Sequence, residues 1–347
     1  MSEAPEVIIR KQGRAGRVTL NRPHALNALT HAMALAIEHA LLIWRDDQEV
    51  ALVIVDAAGE KAFCAGGDIQ DLYRSGMEGD LEHGRRFWSD EYRLNALIAY
   101  YPKPYVALMD GITLGGGVGI GAHGSHRIVT ERTMLAMPEC GIGLVPDVGG
   151  SFILGHAPGR MGFYLGLTGM RLKADGAIYT GFADHLVPHD RIADLIAALC
   201  ENGDISVIGD HCAEPDAGNL RSIALEVDDV FQGTDPVLHL QRLDAASADG
   251  NWQQDAARAI RRASPLSVQC TTRIIAAAAD FSDISDALRQ EYRFVWRCMA
   301  EGDFLEGVRA QLIDKDRNPQ WRHAGLEEAA GHADAMLAPL GDDELVI

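Results

Sequence analysis

The sequence has no C-x-x-C pair, no apolar run near the length of a membrane helix and too little positive charge, and each absence removes a class of function. Its six cysteines, Cys64, Cys140, Cys200, Cys212, Cys270 and Cys298, are scattered. Without close spacing they indicate neither a zinc ribbon nor a thioredoxin-like dithiol, and in a chain of 347 residues they read as reduced thiols in a reducing compartment. No apolar run approaches the ~18 residues of a membrane helix. The first twenty residues, MSEAPEVIIRKQGRAGRVTL, lack a signal-peptide core and enter an apparent strand too early to leave room for a transit sequence. A cytoplasmic location is therefore expected. Lys and Arg number 31 against 50 Asp and Glu, a formal charge of -19. That balance argues against a nucleic-acid or anionic-membrane surface. It leaves room for an anionic small ligand held by a few Arg or backbone N–H groups.

What is present is an α/β pattern over roughly the first 200 residues. Val7–Arg10 and Arg17–Leu20 read as a hairpin. Thr30 is placed to cap a helix with Met33, Ile37, Leu41 and Trp44 on one face. Ala51–Asp56 and Tyr105–Met109 are continuous apolar strands of the kind a buried parallel sheet requires, Ile128–Val129 reads as the start of another, and Arg85–Ala99 reads as a helix. The expected organisation is a core over 1–200, a polar insertion or linker over 201–236, and a helical region over 237–347. Within that last region the spacing predicts helices over Val237–Ala248, Gln253–Ala263, Pro265–Ala279 and Ile284–Ala300. Trp252, Trp296 and Trp321 are expected as core or interface anchors.

Two glycine-rich segments, KAFCAGGDI (Lys61–Ile69) and DGITLGGGVGIG (Asp110–Gly121), each follow an apolar strand. GIGAHG (Gly119–Gly124) matches the dinucleotide fingerprint, but that motif needs its first glycine in the turn directly after the strand, and here the strand ends near Met109. The alternative is that glycines from both segments aim N–H groups into a cleft, as an oxyanion hole does. For either loop alone, a tight turn is the default use of glycine. His123 and His126 have no metal-ligand partners at useful spacing and read as packing or surface residues, while Cys64 and Cys140 read as small buried side chains.

MPECGIGLVPDVGG (Met137–Gly150) carries two carboxylates, Glu139 and Asp147, in otherwise apolar, Gly- and Pro-rich company. Extended, eight residues would hold them roughly 26 Å apart, so a shared site demands a fold-back. Local capping by Glu139 and an Asx-type turn by Asp147 are the structural alternatives.

In order and approximate spacing, LNRPHALNAL (Leu20–Leu29), KAFCAGGDI, KPYVALMDGITLGGGVGIG (Lys103–Gly121) and AMPECGIGLVPDVGG resemble the crotonase (enoyl-CoA hydratase/isomerase) superfamily. The resemblance implies a crotonase-like spiral core of repeated ββα units with a helical C-terminal region. It implies that the N–H groups of Gly67 and Gly116 bind the acyl thioester oxygen, with Gly66, Asp68 and the NRPHALN segment shaping the CoA cleft. His24 is a CoA-contact candidate by position. Glu91, within DEYRLN, would line the substrate site, although its charged helical context fits a solvated face equally well. CoA would be part of the substrate, with no separate cofactor. Crotonase relatives are often oligomeric, so self-association is an expectation.

The departures from the pattern select a branch. Hydratases of the superfamily carry a catalytic Glu three residues after the oxyanion Gly; here that position is Gly119. Glu139 occupies the second catalytic position and Asp147 supplies another acid. This arrangement, together with EYRFVWRCMAEGDFLEGVRAQLIDKDRNPQW (Glu291–Trp321), resembles a thioester-cleaving branch acting on 3-hydroxyisobutyryl-CoA in valine degradation. Hydratase or isomerase activity and silent acyl-CoA binding are the competing expectations.

Overall fold

The computed structural model describes residues 4–216 and 218–347. They form two compact units interleaved along the chain. One gathers the chain up to Gly67, Asp90–Leu135 and Arg171–Gly218; the other gathers Asp68–Ser89, Ala136–Met170 and Asn219–Ile347. The elements that carry the argument are, in chain order, β1 (Val7–Gln12), β2 (Ala15–Leu20), α1 (His31–Asp46), β3 (Leu52–Ala57), β4 (Ala62–Cys64), α2 (Ile69–Met77), α3 (Leu81–Ala99), β5 (Tyr105–Met109), β6 (Ile112–Leu114), α4 (Gly116–Gly121), β7 (His126–Val129), β8 (Met134–Ala136), α5 (Gly150–Gly155) and β9 (His185–Leu186).

In the first unit β1 and β2 form the hairpin, in register from Val7–Leu20 to Gln12–Ala15. The turn is Gly13-Arg14 alone, shorter than the Gln12–Gly16 turn that the sequence suggests, because Gly13 takes a left-handed φ of 56°. From β2 the sheet continues in parallel through β3, β5, β7 and β9. Ile128 and Val129 lie at the end of β7 rather than opening a strand. Both faces of β3 and β5 are covered, which is why their sequences are unbroken apolar runs. Leu52, Ile54, Val106, Leu108 and Ile128 cluster on one face with Leu195 and Leu199 of the helix Ile192–Asn202. A smaller sheet runs in the order β4-β6-β8. Thr30 caps α1 by accepting from Met33 N–H at 3.2 Å, a contact worth about 1 kcal/mol, and Met33, Ile37, Leu41 and Trp44 form its buried face.

The second unit is helical, and its long C-terminal helices begin and end close to where the apolar spacing predicts: Pro236–Ala246, Trp252–Arg262, Pro265–Ala278 and Ile284–Cys298. Pro265–Ala278 is buried over most of its surface. Glycines bring its neighbours close: an added Cβ on Gly155 would lie 2.9 Å from Ala278 Cβ, and one on Gly166 2.6 Å from Ile275 Cδ1.

The unit boundaries differ from those expected at 200 and 236. Ile205–Val207, Ile208–His211, Arg221–Ile223 and Ala224–Val230 form short helical turns, and the segment divides between the units near Gly218 instead of acting as one linker. Val227 and Phe231 are fully buried, so a polar, acidic composition conceals a sparse apolar stripe that packs.

The α4 helix lies against β4 so closely that a Cβ on Gly117 would meet the Cys64 carbonyl and sit 2.9 Å from Cys64 Cβ. Gly117→Ala is expected to destabilise by roughly 1–3 kcal/mol through overpacking, read as a lowered Tm. Gly141→Ala, with nothing within 4 Å of its added Cβ, should leave Tm within about a degree or two.

Candidate active site

In the first unit the NRPHALN segment folds as a 3₁₀ turn, Pro23–Ala25, followed by left-handed Leu26 and Asn27 at φ 52° and 56°. Asn tolerates that conformation, and its buried side chain stitches the turn to the next loop. Asn27 Nδ2 donates to the Ala58 and Ala62 carbonyls at 3.0 and 2.9 Å, and Asn27 Oδ1 accepts from Arg22 N–H at 2.8 Å. Leu29 N–H donates to the Gly66 carbonyl at 2.8 Å and Ala65 N–H to the Leu26 carbonyl at 3.0 Å. These bonds fix the Gly66-Gly67 segment, with Gly66 at φ 111°, where other residues are strained.

Gly116 opens α4, so its N–H has no intrahelical acceptor. A Cβ on Gly116 would lie 2.7 Å from Glu91 Oε1, 3.1 Å from Gly67 N and 3.4 Å from Gly66 C. Gly66, Gly67, Gly116 and Glu91 therefore converge, and only glycine fits at 116. Glu91 is 2% exposed, which excludes a solvated face for it. One helical turn later Asn95 is fully buried, and neither its amide nitrogen nor its oxygen has a partner among the described residues. No local motif in the sequence marks Asn95. His24 stands exposed on the 3₁₀ turn.

In the second unit the chain folds back between the two acids. Glu139 begins a 3₁₀ turn ending at Ile142, and Leu144 N–H returns to the Glu139 carbonyl at 3.0 Å. Gly143 caps the turn at φ 74°, pressed against the Asp303 backbone where a Cβ would collide. Ser264 N–H donates to the Cys140 carbonyl at 3.0 Å. Then Val148 adopts φ 52° and Gly149 φ 78° before α5 begins. A left-handed β-branched residue costs on the order of 1–3 kcal/mol and persists only where its surroundings hold it.

Glu139 and Asp147 are 5% and 4% exposed. Burial raises the Glu139 carboxyl well above the ordinary glutamate range, and the neighbouring Asp147 charge raises it further. Glu139 Oε2 has no hydrogen-bond partner among the described residues. A third carboxylate, Glu291, is fully buried in the same unit, and burial pushes it up to about 8. Asp68 lies in this unit as well, at the N-terminus of α2, without a side-chain cap bond to that helix.

A family model described as enoyl-CoA hydratase/isomerase matches residues 15–336. The chain belongs to the enoyl-CoA hydratase/isomerase family. Among its relatives, mitochondrial 3-hydroxyisobutyryl-CoA hydrolase of Gallus gallus is 39% identical over 99% of this chain and 91% of that protein. The corresponding Danio rerio protein is 42% identical over 92% and 86%. A crystal structure of an enoyl-CoA hydratase from Rhodobacter sphaeroides 2.4.1 superimposes with a TM-score of 0.93 at 48% identity, covering 99% of this chain and all of that one. The α/β crotonase-like fold, with its helical C-terminal region, is thereby established.

GIGAHG begins inside α4, so its first glycine is not the turn a dinucleotide pyrophosphate needs. Among the described residues no group of His, Cys, Asp and Glu is placed to hold a metal, and no helix is long and apolar enough to cross a membrane. Cys64 and Cys140 are buried, and burial pushes each thiol up to about 12, the opposite of what a nucleophile requires.

The raised Glu139 has a consequence for stability. Folding favours its protonated form, so its contribution is fully present below the unfolded value near 4.5 and is lost as pH rises through the folded value. Glu139→Gln is therefore expected to raise Tm at pH 7 relative to the wild type, and the gap should close near pH 4. Equal Tm values at both pH values would contradict the assignment.

Proposed function

We propose that the chain hydrolyses the thioester of 3-hydroxyisobutyryl-CoA to 3-hydroxyisobutyrate and free CoA, a step of valine degradation. One observation carries this reading. Two buried acids, Glu139 and Asp147, stand on one folded-back loop, while position 119, inside α4, has no side chain. Water addition to an enoyl group divides acid and base roles between two carboxylates, and Gly119 supplies neither. The names borne by the Gallus gallus and Danio rerio relatives favour the same chemistry.

In this reading the N–H groups of Gly67 and Gly116 receive the thioester oxygen as it becomes an oxyanion, each donor worth roughly 3 kcal/mol in the transition state. Gly66 and Asp68 shape the approach, Glu91 lines the acyl pocket, and His24 meets the CoA moiety. Glu139 in its carboxylate form takes a proton from water as the water oxygen attacks the carbonyl carbon. Its raised pKa makes it a stronger base than an ordinary carboxylate. Collapse of the tetrahedral intermediate breaks the C–S bond, and the proton held by Glu139 passes to the departing thiolate, so a carboxylic acid and CoA thiol leave. Asp147 keeps Glu139 basic and orients it or the substrate hydroxyl. CoA enters as part of the substrate, and the reaction requires no further cofactor.

Thiol release from 3-hydroxyisobutyryl-CoA, measured beside hydration of a 2-enoyl-CoA, separates hydrolase from hydratase. The expected result is release of CoA with at most trace hydration. Hydration without thiol release would overturn the proposal. Glu139→Gln should lower kcat at least 10²-fold while saturable acyl-CoA binding persists; full activity in that variant would remove Glu139 from the mechanism. Gly116→Ala, whose Cβ crowds Glu91 Oε1 and Gly67 N, should lose turnover by a comparable factor.

A further inference from the structure

Asp147 reaches its position through a stretch of backbone that would not hold itself. Val148, buried and β-branched, is left-handed, and Gly149 follows in the same region. Gly150 N–H returns to the Asp147 carbonyl at 2.7 Å and closes the turn. A carboxylate on the helix Ile284–Cys298 meets the turn from outside. Glu291 Oε2 accepts from Gly149 N–H at 2.8 Å, and Oε1 accepts from Ser151 N–H at 3.1 Å and from the Ser151 hydroxyl.

Three donors converge on two oxygens, an arrangement that a carboxylate satisfies and an amide does not. A glutamine would turn either its NH₂ group towards the Gly149 N–H or its oxygen away from Ser151. Glu291 is fully buried, at a position where its neighbours at three- and four-residue spacing, Ala287, Leu288, Phe294 and Val295, are all apolar and buried. A carboxylate there is costly: burial pushes its pKa up to about 8, so the three-donor clamp is fully ionised only above that pH. The bonds to Ser151 and Gly149 oppose that rise, and the Asp147 charge adds to it.

We propose that Glu291 is a positioning residue for Asp147, its carboxylate holding the left-handed Val148–Gly149 turn that sets where the Asp147 side chain points. The inference rests on the reading of Asp147 as part of the thioesterase site. Glu291 itself is not assigned any contact with substrate. Far from Asp147 in sequence, Glu291 opens the stretch whose resemblance to the thioester-cleaving branch extends to Trp321.

The test is a double-mutant cycle in the full-length chain on 3-hydroxyisobutyryl-CoA, run above the Glu291 pKa of about 8 so that the clamp is ionised, with Asp147→Asn, Glu291→Gln and the double variant, following kcat, KM and Tm for each. Glu291→Gln is expected to lower kcat by 10- to 100-fold with KM within about threefold of wild type. In the Asp147→Asn background the same change should lower kcat by less than about threefold, because the group it positions is already lost. Ser151→Ala, which deletes one of the three contacts and keeps the carboxylate, should give a smaller loss of kcat in the same direction. Multiplicative losses in the double variant would overturn the inference, as would Glu291→Gln lowering Tm with kcat unchanged. If Glu291→Gln does not fold, the cycle is run with Ser151→Ala and judged by the same criterion. Wild-type turnover in Asp147→Asn would instead overturn the reading of the site on which the inference rests.

Discussion

Glu139, Asp147 and Glu291 are carboxyl groups buried in one compact unit, and the charges that move Glu139 are those of the other two. Like charges withdrawn from water favour protonation, so this cluster favours holding a proton at a pH where exposed glutamates are ionised. Several contacts of the second unit hold these groups where they are. The 3₁₀ turn from Glu139 to Ile142, Gly143 against Asp303, the Ser264 bond to Cys140 and the Glu291 clamp at Gly149 and Ser151 all restrain the same loop. The helices Pro265–Ala278 and Ile284–Cys298 supply the frame. The long helical region after residue 236 is thus part of the machinery that fixes the acids.

The first unit meets a different constraint, the close approach of two glycine-bearing backbone segments. Gly66, Gly67 and Gly116 gather without side chains, and Asn27 ties the preceding turn to the loop before β4 through both ends of its amide. A buried carboxylate, Glu91, lies against the Gly116 position, and Asn95 follows one turn later. A fully buried amide with no partner among the described residues carries a desolvation cost.

The legible parts of the fold were those with strong periodicity or a local chemical signature. The β5 boundaries, the Thr30 cap and the C-terminal helices followed from apolar spacing to within a few residues. The glycine loops and the Glu139–Asp147 pair stood out because their composition is unusual. Glu91 was ambiguous because Asp90 and Arg93 beside it are charged and make the segment look solvated; in the structure those two pair with each other at 2.8 Å on a different face. The signal that could have decided it is Phe87, Asn95 and Ile98, which share the Glu91 face at four- and seven-residue spacing and are buried. Glu291 carried the same signal, a lone acid within an apolar stripe, and was passed over because its partners lie about 140 residues earlier. The division near Gly218 was not legible either, since burial of Val227 and Phe231 depends on helices far away in sequence.

The most direct measurement is the protonation state of Glu139 itself, read from the infrared carbonyl stretch of its neutral carboxyl in difference spectra between wild type and Glu139→Gln across pH. Burial beside Asp147 predicts that the neutral band persists well above the ordinary value of 4.5 and moves to lower pH when Asp147 is replaced by Asn. A Glu139 that ionises at or below 4.5, or whose titration ignores the loss of Asp147, would contradict the central claim that two buried acids act as one coupled pair.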